Sequence, residues 1–140
     1  MITLKPYSST LLAFGGFLLI AIGGYFIFIR PALLLEDMLY IGATLENVKQ
    51  NIPGLTNWLQ KVFWVLGGYI LTTGLLIVFI SLTSFRKRLP GAFNTVALAG
   101  ITSIGLMTFV NFIIRSDFKW LLFIFMLPWV IALILYKWKV

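Results

Sequence analysis

The run VFWVLGGYILTTGLLIVFISL, Val62–Leu82, contains no charged side chain. Its length falls in the range of roughly 17–25 residues that an α-helix needs to cross the hydrocarbon of a bilayer. In lipid every backbone polar group must be satisfied within the protein, which leaves helices and closed barrels. A barrel strand would alternate apolar and polar residues, and this run does not alternate. Three further stretches repeat the pattern on either side of it: Leu11–Ile29, Ala92–Ile114 and Trp120–Tyr136. The sequence therefore predicts an all-α fold. It is an integral membrane four-helix bundle forming a single membrane domain over residues 1–140, with a short helical extramembrane cap between spans one and two, at about residues 31–60.

Composition supports this reading. Hydrophobic residues make up 61% of the chain and charged residues 11%, against about 25% charged in a soluble domain. A soluble fold of this size could not keep so much apolar surface from water. A net charge of +7 would point to nucleic acid in a soluble protein. Here the basic residues flank apolar runs, which suits anionic lipid headgroups, and no nucleic-acid partner is expected. Arg30, Lys61, Arg115 and Lys119 stand at span ends, beside Trp64, Trp120, Tyr136 and Trp138, as interfacial anchors do. The first span lacks a small-residue cleavage site and ends in GGYFIFIRP, so it reads as a retained span. The chain has no cysteine and no histidine. Thiol chemistry, thiolate metal sites and the usual proton shuttle at neutral pH are thereby removed. No cofactor or metal is expected.

Four spans place both termini on one side. That side carries Lys5, Arg86, Lys87, Arg88, Lys137 and Lys139; the other carries Arg30, Lys49, Lys61, Arg115 and Lys119. The dense Arg86-Lys87-Arg88 turn is expected to meet lipid headgroups and to lie, with both termini, in the cytoplasm. The expected localisation is a plasma membrane.

The connection PALLLEDMLYIGATLENVKQNIPGL, Pro31–Leu55, holds Glu36, Asp37 and Glu46, three of the chain's four carboxylates. Glu36 and Asp37 suit the first turn of a short helix, which Gly42 can stop. Thr44 can cap a second helix that places Leu45, Val48 and Ile52 on one underside. Pro53-Gly54 breaks it, and Leu55, Trp58, Leu59 and Val62 lead into span two. Adjacent carboxylates on a helix point apart, which argues against a paired acid–base site. The expectation is a solvated acidic face, with Glu36, Asp37 and Glu46 docking a partner.

Small residues stripe the spans. Gly16 and Gly23 are seven apart, as are Gly67 and Gly74; Gly68 and Thr72 form a small-xxx-small step; Thr95, Ala99 and Ser103 repeat at four. These nine positions are expected at helix–helix contacts, where small residues let backbones approach in lipid. Span three also carries Asn94, Thr102, Thr108 and Asn111. An interhelical hydrogen bond is the plain reading of Asn111, and Thr108 with Asn111 could mark a polar path. Pro128 is expected to kink span four, and Ser116 to cap its start.

The stretch Leu33–Gly74, LLLEDMLYIGATLENVKQNIPGLTNWLQKVFWVLGGYILTTG, resembles small bacterial four-span membrane proteins that carry no known activity. Those tend to have proline before the Glu-Asp pair, where this chain has Leu35. The resemblance implies a bacterial origin, and with it a bacterial inner (plasma) membrane. No charged residue lies within a span, although proton-coupled transporters usually carry one. The functional expectation is a non-catalytic accessory or structural subunit, held to a larger membrane complex or to further copies of itself. The alternative is a small homo-oligomeric channel or transporter for a small or neutral solute.

Overall fold

The computed structural model describes residues 5–138, with side chains from Tyr7 onward. Lys139 and the side chain of Lys5, both used in the orientation argument, lie outside the described residues. Helix α1 is Lys5–Phe28, α2 Leu35–Ile41, α3 Leu45–Asn51 and α4 Leu55–Ile80. Helix α5 is Ala92–Gly100, α6 Leu106–Ile113 and α7 Lys119–Lys137. Among the described residues there is no strand. Four continuous helical stretches are long and apolar enough to cross a membrane: Tyr7–Phe28, Leu55–Phe85, Ala92–Ile113 and Lys119–Lys137. The second is longer than the apolar run that announces it, because the Leu55–Val62 pattern joins it without a break.

Two turns of wider, π-type winding interrupt the regular ladder. One, Ser81–Phe85, ends the second long helix, and the other, Ile101–Gly105, joins α5 to α6. Neighbouring helices bond to backbone beside these turns. The Ser9 hydroxyl donates to the Ser81 carbonyl at 2.8 Å. The Trp129 indole donates to the Val96 carbonyl at 3.0 Å, with Trp129 itself buried. Helix α7 continues through Pro128 without a break.

Helices α1 and α4 run antiparallel and form the most extensive contact in the molecule. The glycine stripes meet each other there. A Cβ added at Gly16 would lie 3.0 Å from the Gly74 carbonyl oxygen, and one at Gly74 would lie 2.7 Å from that of Gly16. The corresponding distances for Gly23 against Gly67, and for Gly67 against Gly23, are 2.8 and 2.9 Å. Two seven-residue spacings, read in opposite directions, thus bring four glycines into two facing pairs. Gly68 has nothing within 4 Å of such an atom, and Thr72 and Thr95 are exposed. These three do not sit at helix contacts, because they fall on the outer faces of their helices. Ala99 packs against the core, and Ser103 is half-buried.

The other half is looser. Helix α7 lies against α1, and the third long helix leans mainly on α7, touching α4 only slightly. The core follows these contacts: Leu12, Leu19, Ile70, Ile77, Phe85, Val96, Ile104, Leu122 and Trp129 are all buried. At the end that holds the chain's N-terminal helix start, Phe85 and Phe93 flank the Tyr136 ring at 4.4 and 5.6 Å. Arg88 has positive φ and lies over Tyr136 at 4.8 Å. Of the Arg86-Lys87-Arg88 turn, therefore, Arg86 and Lys87 are the exposed pair.

Candidate functional site: a clasped cap above a side cavity

The cap begins where Arg30 leaves α1. Its guanidinium folds back under the cap and lies 3.6 Å from the Phe63 ring centroid, with only 8% of Arg30 exposed. Nη2 donates to Asp37 Oδ2 at 2.8 Å, and Nη1 donates to the Pro31 carbonyl at 2.9 Å. The same Asp37 oxygen accepts from the Leu34 N–H at 2.9 Å. Asp37 thus serves two groups: it holds Arg30 and it satisfies an otherwise unpaired donor at the start of α2. Gly42, at φ 68°, ends α2 in the left-handed conformation that glycine adopts without penalty.

Glu36, one residue earlier, points to the other half of the molecule. It is 8% exposed, and its Oε1 accepts from the Ser116 hydroxyl at 3.0 Å. Ser116 is buried in the connection between the third and fourth long helices, and its oxygen also accepts from the Phe118 N–H at 3.1 Å. The 100° offset between neighbours on a helix separates these two carboxyl groups. That offset lets one short helix clasp both halves of the bundle. Gln60 completes the clasp by donating to the Arg30 carbonyl at 3.1 Å.

The expected solvated acidic face is therefore largely absent. Glu36 and Asp37 turn inward because Ser116 and Arg30 stand beneath them, and only Glu46 of the three is exposed. What α2 presents outward is apolar: Leu35, Leu39, Tyr40 and Ile41 are all more than half exposed. Thr44 caps α3, its hydroxyl accepting from the Asn47 N–H at 3.2 Å. Of the anticipated α3 underside, Val48 is buried while Leu45 and Ile52 are exposed.

Below the clasp, the splay between the second and third long helices leaves a cavity of about 710 Å³. Arg30, Glu36 and Asp37 form its roof, and Ile22, Phe26, Leu122 and Phe125 contribute to its walls. Asn111 lines it, while Thr108 is buried off it. Asn111 donates to the Met107 carbonyl of its own helix at 2.9 Å, and among the described residues it makes no interhelical bond. The lining hydroxyls do likewise: Thr73 donates to Tyr69 and Thr102 to Leu98, both at 2.8 Å, and Ser103 donates to Ala99. Back-bonding to the carbonyl four residues earlier spends their hydrogens and leaves the wall effectively apolar. Arg30, Tyr25, Thr73 and Thr102 escape a sequence reading as cavity residues. The one readable signal is an acidic residue seven positions after Arg30, at the start of a helix.

No family model matches the chain, and no curated protein or solved structure matches it.

Proposed function

We propose that the chain is a small, non-catalytic integral membrane protein of a bacterial plasma membrane, an accessory subunit of a larger membrane complex with both termini in the cytoplasm. One observation carries the subunit reading: Leu35, Leu39, Tyr40 and Ile41 of α2, in the connection between the first two long helices, are large apolar side chains left more than half exposed. Large apolar side chains gathered on one short exposed segment mark a surface that another body covers. The clasp supports this, because Arg30, Asp37, Glu36 and Ser116 hold α2 in place and so present those side chains at little entropic cost. A homo-oligomeric channel draws less support. Its expected polar path, Thr108 and Asn111, consists of one buried hydroxyl and one amide bonded to its own helix.

The test is photo-crosslinking in cells from a reactive amino acid placed at Leu39 or Tyr40, with Leu76 on the outer face of α4 as comparison. The subunit reading expects one discrete heavier adduct from the cap and lipid adducts from position 76. Lipid adducts alone from the cap would overturn it. The chain has no cysteine, so single cysteines at Ser84 and Asn47 report orientation. An impermeant thiol reagent on whole cells should label position 47 and spare position 84.

A further inference from the structure

We propose that the cavity beneath the cap is a binding site for an uncharged, single-chain lipid whose head carries hydroxyl groups. The volume, about 710 Å³, lies within the roughly 300–1,000 Å³ of small-molecule sites. Its body suits an acyl chain, because Ile22, Phe26, Leu122 and Phe125 line it and the hydroxyls of Thr73, Thr102 and Ser103 are spent on their own helices. It opens between the second and third long helices, which touch only slightly, so a chain can enter sideways from the bilayer.

The roof selects the head. Arg30 is the one cation among the described lining residues, and it is committed to Asp37, to the Pro31 carbonyl and to the Phe63 ring. No free cation remains to meet a phosphate, and two carboxyl groups stand beside it. Acceptors do remain. Glu36 accepts through Oε1 and Asp37 through Oδ2, while Asn111 donates through Nδ2. The opposite oxygen of each accepts no hydrogen bond among the described residues. A group of open acceptors whose one neighbouring cation is already paired takes a head that donates hydrogen bonds, which is what a hydroxyl head supplies. An anionic phospholipid would meet like charge instead.

The probe is a monoacylglycerol with a diazirine in mid-chain, irradiated with the full-length protein in phosphatidylcholine vesicles. Adducts are mapped by mass spectrometry. The proposal expects saturable adducts within Leu66–Thr73 and Thr102–Asn111, competed by plain monoacylglycerol and about 10-fold less well by phosphatidylglycerol. Asn111→Leu should weaken that competition by up to about 10-fold, the value of one hydrogen bond. Ser103→Phe, or Thr73→Phe from the facing wall, should fill the cavity and abolish the adducts while the helical signal persists. Adducts spread evenly over outward residues such as Phe79, Ile101 and Ile131 would overturn the proposal. So would equal competition by phosphatidylglycerol, labelling unchanged in both filled variants, or a cavity occupied by a co-purified protein helix.

Discussion

The α1–α4 pair and the third long helix are built from similar residues and behave differently. Both are rich in glycine and small polar side chains. In the pair, glycines stand opposite glycines, and carbonyl oxygens approach to distances that no side chain would permit. In the third helix Thr95 and Thr102 face outward, Thr102 and Ser103 bond to their own backbone, and the buried Gly100 receives the Trp129 indole instead of a facing backbone; a π-type turn widens the helix at Ile101–Gly105, and a cavity lies alongside. A small residue brings two backbones together only when its partner is equally small at the same height. Where that match fails, the helices splay.

The most damaging way to test this contrast is Gly23→Leu. The added Cβ alone would sit 2.6 Å from the Leu71 backbone nitrogen, which cannot yield. The expected cost is at or above the ~3 kcal/mol upper end of ordinary overpacking, read as a lower thermal midpoint in detergent. An unchanged midpoint would mean that α1 and α4 are not so closely paired.

Trp129→Phe probes the looser half. It removes the indole donor from the buried Val96 carbonyl and leaves that oxygen to its own helix. A loss of about 1–3 kcal/mol is expected, with hydrogen exchange rising in α5 and little altered in α1. Equal acceleration in both helices would erase the proposed difference.

Ser116→Ala should cut the link between the cap and the looser half while Arg30–Asp37 keeps α2 on the tighter one. The expected change is about 0.5–1.5 kcal/mol. Its signature is faster exchange or proteolysis within Leu35–Ile41, with the α1–α4 pair undisturbed. Asp37→Asn should release the same segment from the other side.

The smallest expected effect sharpens the comparison most. Gly68→Ala meets open space, so it should be neutral or stabilise by about 0.4–1 kcal/mol through the unfolded chain. Gly67→Ala, one residue away, would place its Cβ 2.9 Å from the Gly23 carbonyl oxygen and should destabilise. Like effects from the two substitutions would show that position relative to the partner does not matter.

The four long helices were legible in the sequence because length and uniform apolarity are local properties. So were Gly42 as the stop of α2, Thr44 as the cap of α3, and the seven-residue glycine stripes. Which small residues touch was not legible, since Gly67 and Gly68 differ only in the direction they face. The direction of the carboxyl groups was not legible either. Glu36 and Asp37 look like solvated charges until Ser116, eighty residues away, and the folded-back Arg30 come beneath them.

Composition and run length by themselves thus determined an all-helical chain with four segments able to cross a membrane and a short helical connection between the first two. Tertiary structure alone decided the glycine pairing, the inward clasp, the apolar side chains that α2 leaves exposed and the cavity under it. The physical reason is the range of the interactions. Backbone satisfaction in an apolar medium is settled within each helix, whereas close approach and side-chain pairing depend on which residues of distant segments arrive at the same height.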